Sequence, residues 1–360
     1  MRTRGGAQTS GARRGAGYLF NLLKEATKCE RIKGCAFLLL DNIETSCNFK
    51  NSLLPLIHID NLHFIVYSEN IAIDSLNISD MLQNVTYYKM LSLDTAKAME
   101  LSLTLQDKAE KVMYCGIYLS FNDKKIVGAN FCRERFCPMC QRRKALRTYS
   151  RLREVDQFLS SKYQFLHLVL TVKNCPADEL TAQIDTLYHG SRKMFNNRRF
   201  KQGIKGVLRC LEVSYNAKYD TFHPHLHCLC AVRKSYFTSR YYLKQDDLRM
   251  LWCDCIGSDY LPQVNVKKCD DNALAEVAKY CVKPLELDSG LKQRACVLDA
   301  LNLALKSRRN IQTYGVFREA FKQLKIDLDG DEKEKNTADE NIISFSFDFV
   351  KKKYVPTKLI

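Results

Sequence analysis

The chain has 360 residues, with 56 lysines and arginines against 40 aspartates and glutamates and a formal net charge of +16. That length holds one large domain or two modest ones around a real core, and the positive surplus points to a polyanionic partner. No apolar run approaches the ~20 residues that span a bilayer, which argues against a membrane protein. Sixteen cysteines with no visible signal peptide argue against a secreted disulfide scaffold and favour a reducing, cytoplasmic setting with thiols buried or bound to metal.

Residues 1–95 form a poorly defined N-terminal region. Its first 16 residues, basic and glycine-rich, read as disordered; stretches between Leu56 and Ile71 have strand character, and His58 and His63 stand isolated as structural residues. From 107 to 150 a distinct unit is expected. A charged, helical run ends at Cys115 and Gly116, and Cys132, Cys137 and Cys140 follow, the last two separated by Pro138 and Met139. Such a turn is a tight knuckle suited to Zn²⁺, with Cys132 and Cys115 able to supply the third and fourth thiolates of a closed, structural site. The long spacing back to Cys115 leaves room for another cysteine in its place. A redox Cys-x-x-Cys is the competing reading, but it lacks a βαβ setting. Gln141 to Arg147 then opens a helix whose apolar positions Leu152, Val155, Phe158 and Leu159 keep helical spacing. Arg142, Arg143 and Lys144 at its start either contact phosphate or form a solvated face.

A domain of catalytic character is expected over 151–326. Tyr163–Asn174 is the clearest strand in the chain, and a helix runs from about Glu179 to Phe200, turning basic at Arg192, Lys193, Arg198 and Arg199. Gly206–Tyr215 reads as a strand and Asn216–Thr221 as a hairpin loop. The strand that follows carries His223, His225 and His227. Side chains alternate along a strand, so all three imidazoles share one face. That is a poor choice for a hydrophobic core and a good one for a divalent cation; the alternative is three histidines satisfied separately by hydrogen bonds. If Asn216 pairs with Thr221, Glu212 falls opposite His225 on the same face. Mixed imidazole and carboxylate ligation suits Mn²⁺ or Mg²⁺ acting on phosphate oxygens and admits Zn²⁺. A slip of one residue turns Glu212 away, which keeps His223 open as the third ligand.

Tyr241–Cys253 reads as a helix and Leu261–Lys267 as a strand. Between Asn272 and Lys283, Leu274, Val277, Ala278 and Cys281 make the apolar stripe of an amphipathic helix, ended by Pro284. Glu276, Lys279, Tyr280 and Lys283 occupy its other face. Tyr280 lies one turn from Glu276, and a phenolate can attack a phosphodiester while Glu276 serves as a base for water or for the tyrosine. Lys279 and Lys283 lie alongside, placed to meet its phosphate. Leu291–Arg309 and Thr313–Ile326 are expected as helices, and 327–360 as an acidic linker and C-terminal tail that adds a strand or stays loose. No phosphate-gripping loop of a nucleotide-driven motor is present.

Taken together, Phe165–Asn174, His223–His227 and Glu276–Tyr280, preceded by Ala129–Cys140 and by Cys115 and Gly116, resemble the replication initiators (Rep) of small rolling-circle plasmids, members of the HUH endonuclease superfamily. The resemblance covers roughly residues 107–326. It implies an α+β fold, an HUH-type antiparallel sheet flanked by helices with a small four-cysteine zinc knuckle on its N-terminal side. His225 and His227 would be the paired ligands of Mg²⁺ or Mn²⁺, with Glu212 or His223 as the third. Tyr280 would attack single-stranded origin DNA, leaving a 5′-phosphotyrosine and a 3′-hydroxyl that primes a host polymerase. Glu276 would activate water at termination, and a host helicase would supply unwinding. A transposase or relaxase of the same superfamily shares this chemistry. Histidine-triad nucleotide hydrolases share the alternating histidines, but need neither the Glu276–Tyr280 helix nor the cysteine knuckle. A non-catalytic zinc-dependent DNA-binding protein explains charge and cysteines but leaves Tyr280 without a purpose.

Overall fold

The computed structural model describes residues 78–122, 125–269, 289–327 and 342–357. In chain order the elements are α1 (Ile78–Glu100), α2 (Ala109–Met113), β1 (Tyr118–Asn122), β2 (Lys125–Ala129), α3 (Pro138–Leu159), β3 (Tyr163–Thr171), α4 (Leu180–Asn196), α5 (Arg198–Gly203), β4 (Ile204–Asn216), β5 (Thr221–Arg233), α6 (Gln245–Ile256), β6 (Val264–Lys268), α7 (Leu291–Leu305), β7 (Ile311–Gly315), α8 (Val316–Gln323), β8 (Ile342–Asp348) and β9 (Lys353–Pro356). The fold is α+β, with two antiparallel sheets of order β6-β3-β5-β4-β7 and β2-β1-β8-β9.

The longest pairing is the β4–β5 hairpin, whose register sets Asn216 against Thr221 and Glu212 against His225. Pro224 lies inside β5, yet no ladder bond is lost there. Phe222 donates to Cys175 on the β3 side, so the alternation puts the missing Pro224 N–H on that side too, beyond Thr171 where β3 has ended. Each face of the five-stranded sheet is covered differently. On one, Leu166, Leu168, Leu170, Leu226, Cys228 and Cys230 are buried in a core shared with Ile184 and Leu187 of α4 and Leu248 and Trp252 of α6. On the other, Phe165, Leu208, Leu229 and Ala231 pack under Leu152, Val155 and Leu159 of α3 and Phe317, Ala320 and Phe321 of α8. This second cover lies over the Phe165–Ala231 end of the strands. His225, His227 and Glu212 occupy the same face at the other end.

Several elements differ from their expected extents, each for a local reason. The helix expected over Glu179–Phe200 is two, because Asn197 leaves the helix and its side chain accepts from the N–H groups of Arg199 and Phe200, capping α5. The helix expected from Tyr241 starts at Gln245, after a turn held by Ser239 and Tyr236. Thr313–Gly315 is the end of edge strand β7 rather than helix, since its backbone completes the sheet against Gly206–Leu208. Phe158 is 45 % exposed on α3, while Leu152, Val155 and Leu159 are buried. Finally, the boundary expected at residue 95 falls inside α1, which packs on α2, α3 and α7.

Helices α4 and α6 cross at Gly190, where an added Cβ would lie 2.5 Å from Ile256 Cγ2 and 3.0 Å from the Trp252 ring. Overpacking by a methyl costs about 1–3 kcal/mol, more than the ~1 kcal/mol that alanine gains over glycine in a helix. The Gly190→Ala chain is therefore expected to be destabilised by up to about 2 kcal/mol, read as a lower urea midpoint at unchanged slope. An unchanged or higher midpoint would mean that the crossing can relax.

Candidate functional site

Glu212, His225 and His227 bring one ligand atom each to within 4.8 Å of one another. Glu212 Oε2 lies 2.8 Å from His227 Nε2 and 3.2 Å from His225 Nε2. Burial pushes the Glu212 carboxyl up, but hydrogen bonds and positive charge from His225 and His227 outweigh it and hold the group at about 2. It is thus an anionic ligand over any working pH.

The imidazoles are oriented from behind. His225 Nδ1–H donates to the His223 carbonyl at 3.0 Å, which turns Nε2 toward Glu212. His227 Nδ1 lies 3.0 Å from His167 Nε2, and the two rings stack with centroids 5.2 Å apart. Were Nε2 of His227 committed to a metal, its Nδ1–H would donate to His167, which would fix the tautomer. His167 comes from β3, in register with Leu229. Its signal in the sequence is a lone histidine between Leu166 and Leu168 in the most apolar strand, and the reading of site residues passed over it. We expect His167→Ala to weaken Mn²⁺ binding about 10–100-fold with the fold retained, measured by calorimetric titration; full affinity would dismiss its orienting role.

His223 stands apart from this group. Its Nδ1 is 2.6 Å from Asn174 Oδ1, and burial together with neighbouring His225 lowers its pKa despite Glu212. The geometry therefore groups Glu212, and not His223, with the two inner histidines.

The second cluster is Cys115, Cys132, Cys137 and Cys140, again with ligand atoms within 4.8 Å of one another. Cys140 Sγ lies 3.6 Å from Cys115 Sγ and 3.7 Å from Cys132 Sγ. A tetrahedron with zinc–sulfur bonds of about 2.3 Å has edges of roughly 3.8 Å, so the four sulfurs fit that ion. Backbone N–H groups of Cys132 and Arg133 donate to Cys115 Sγ and Cys140 Sγ at 3.3 and 3.2 Å. Hydrogen bonds from Cys115, Cys132 and Cys140 hold the Cys137 thiol far below its usual range, while the same crowding pushes Cys115 up. Four thiols this close share charge well only around a cation.

Helix α1 contributes to this cluster in a way that the sequence did not announce. Ser92 Oγ approaches Cys137 Sγ at 3.6 Å. Lys89 is fully buried and donates to the carbonyls of Met113 and Cys115 at 2.5 and 2.8 Å. Burial lowers its pKa to about 8, opposed by Cys115, Cys137 and Cys132, which favour its charge. A lysine here offsets part of the negative charge of four thiolates.

Arg142, Arg143 and Lys144 are half-buried at the start of α3. Arg142 Nε donates to Asn84 Oδ1 at 2.7 Å and its guanidinium lies 5.5 Å from the Tyr88 ring, while Arg143 sits 4.9 Å from the Phe131 ring. Arg142 thereby joins α3 to α1. Glu276, Lys279, Tyr280 and Lys283, with the helix expected to carry them, lie outside the described residues, as do the strand-like stretches of 56–71, His58, His63 and most of the acidic 327–340 segment. Among the described residues no helix is long and apolar enough to cross a membrane.

A family described as replication protein matches residues 123–355. The chain is 32 % identical over 254 residues to the Rep protein of Streptococcus pneumoniae serotype 2 (strain D39), covering 66 % of this chain and 78 % of that protein. It is 37 % identical over 190 residues to a Rep protein of Staphylococcus aureus, covering 49 % and 83 %, and 30 % identical over 278 residues to one of Lactiplantibacillus plantarum, covering 69 % and 87 %. No solved structure matches the chain.

Proposed function

The chain belongs to the Rep family of rolling-circle plasmid replication initiators, and from that premise we propose that it starts replication by nicking one strand of its origin through a 5′-phosphotyrosine on Tyr280. The observation that carries this reading is the convergence of Glu212 with His225 and His227 on one sheet face, at the end away from the α3 and α8 cover. A Mg²⁺ or Mn²⁺ ion held by these three residues would supply Lewis-acid polarisation of the scissile phosphate. The donor set suits a hard cation with open positions better than a closed thiolate site does.

In this reading Tyr280 forms a bond from its phenolic oxygen to phosphorus as the bond to the 3′ oxygen breaks, and that oxygen leaves as a hydroxyl. The 5′ phosphate stays on the tyrosine, and the free 3′-hydroxyl primes a host polymerase while a host helicase opens the duplex. At termination Glu276 takes a proton from water as the water oxygen bonds to phosphorus; the bond from phosphorus to the Tyr280 oxygen breaks, and the phenol is restored by taking up a proton. Lys279 and Lys283 hold the backbone alongside. The four-cysteine cluster, with Zn²⁺, keeps α3 and α1 in place and takes no part in the reaction.

Histidine attack, as in histidine-triad hydrolases, fits the geometry less well, because both inner imidazoles turn Nε2 toward one carboxylate oxygen and His227 is only 5 % exposed. The deciding experiment is covalent capture. Single-stranded fragments tiling the cognate replicon are incubated with the chain and Mn²⁺, and adducts are read after denaturation. We expect an adduct that disappears in Tyr280→Phe and when the cation is withheld. An adduct surviving Tyr280→Phe would move the nucleophile elsewhere; none on any fragment would remove the nicking reading.

A further inference from the structure

The segment between β5 and α6 is dense in one kind of chemistry. Over Arg233–Lys244 it carries Arg233, Lys234, Arg240 and Lys244, four aromatic residues and no acidic one. Phe237 and Tyr242 are 41 % and 40 % exposed, and their rings lie 5.7 Å apart. Arg233, Lys234 and Arg240 are exposed, and among the described residues they make no ion pair. Lys268, at the end of neighbouring β6, holds its ammonium 5.8 Å from the Phe237 ring.

This is a built surface. Tyr236 is 2 % exposed; its hydroxyl accepts from Leu243 N–H at 3.1 Å and donates to the Leu243 carbonyl at 3.5 Å, closing the segment on itself. Ser239 Oγ donates to the Tyr236 carbonyl and accepts from Tyr241 N–H. Gln164 of β3 donates to the carbonyls of Arg233 and Lys234, fixing the exit from β5. At Gly203 an added Cβ would lie 2.7 Å from the Tyr241 carbonyl and 3.0 Å from the Tyr236 ring, so the segment docks on bare backbone. Aromatic rings held outward at no further ordering cost, rimmed by unpaired cations, suit stacking of unpaired bases with phosphates on the rim.

We propose that Arg233–Lys244, with Lys268, is a second DNA-binding surface that holds single-stranded DNA by stacking bases on Phe237 and Tyr242. The inference rests on the reading of the chain as a DNA-nicking initiator for the identity of the polyanion. Six residues of β5 separate Arg233 from His227, about 20 Å at strand spacing, so the surface grips DNA several nucleotides away from the scissile phosphate. A duplex, with its bases already stacked, gains only the charge.

The test is fluorescence anisotropy of the full chain with a labelled single strand of unrelated sequence and with its duplex, without added Mn²⁺ or Mg²⁺. Phe237→Leu/Tyr242→Leu, which keeps apolar bulk, should bind the single strand about tenfold more weakly, with duplex affinity and the salt dependence unchanged. Arg233→Ala/Lys234→Ala/Arg240→Ala should flatten the logarithmic salt slope for the single strand by about 2. Unaltered single-strand binding by the leucine pair, or equal losses on both DNA forms, would overturn the surface. No scission occurs in this assay, so binding of the expected kind by a chain that forms no adduct refutes the nicking and upholds the surface; adducts with unaltered binding by the leucine pair do the reverse.

Discussion

The His227→Ala chain should bind Mn²⁺ more than about 100-fold less tightly, beyond the range of an outer hydrogen-bond partner, and its yield of DNA adduct should fall at least as far. His227 has this weight because it is buried and joined on both sides: Nε2 meets Glu212 and Nδ1 meets half-buried His167. Removing it also withdraws one of two groups that keep the buried Glu212 carboxyl near 2, so the remaining ligand becomes easier to protonate as pH falls. His223→Ala is the comparison. Its imidazole is turned to Asn174, and His225 uses only its backbone carbonyl, which alanine keeps; Mn²⁺ affinity should therefore fall far less than in His227→Ala. Glu212→Gln, which keeps shape and removes charge, should behave like His227→Ala. If His223→Ala instead lost the metal and Glu212→Gln kept it, the ligand set would have to be redrawn around the outer histidine. Calorimetric titration with Mn²⁺ separates these outcomes before any DNA is added.

Disruption of the four-cysteine cluster, proposed to hold zinc, should have the largest effect on the fold. Cys137→Ser is expected to lower the melting temperature by about 10 °C or more, taking at least ~4 kcal/mol from a structural site and about 2–4 °C per kcal/mol for a chain of this size. The reason is connectivity. Cys115 follows α2, Cys132 follows β2, and Cys137 and Cys140 open α3, so one ion ties three otherwise separate backbone segments. Cys137 is fully buried, with Ser92 beside it and Lys89 on the carbonyl of Cys115. Without the ion, four closely packed thiol groups lose the cation that would balance them, and only the Lys89 ammonium remains beside them. Scanning calorimetry paired with a colorimetric zinc assay makes the check; a zinc-free chain that melts with the original would assign the cysteines to something other than holding the fold.

Much of the inner site was legible because a strand has period two. The alternation of His223, His225 and His227 and the short loop that pairs Asn216 with Thr221 together put Glu212 beside His225, and local chain geometry suffices for that inference. The cysteine set was legible from ligand type and the short Cys137–Cys140 spacing. What escaped came from distant parts of the chain. His167 joins the site only because β3 pairs with β5. Lys89 and Ser92 sit in a helix with no motif, and their meaning depends on α1 lying against α3. Strand β7 exists because its backbone finds β4, not because Ile311–Gly315 has a strong pattern of its own. The charge of Arg142 is visible in the sequence, but its partner Asn84, brought in by α1, is not.

The second sheet imposes an order on synthesis. β1 is flanked by β2 and by β8, and the hydroxyls of Ser120 and Ser344 that meet across this pairing are 224 residues apart. At roughly 5–20 residues per second, β1 leaves the ribosome about 10–45 seconds before its partner. During that interval one edge of the strand, with Leu119 and Phe121, has nothing to pair with. The cysteines, by contrast, are all translated early. An ion captured by the nascent chain would hold this half-built sheet in place until its last strands arrive.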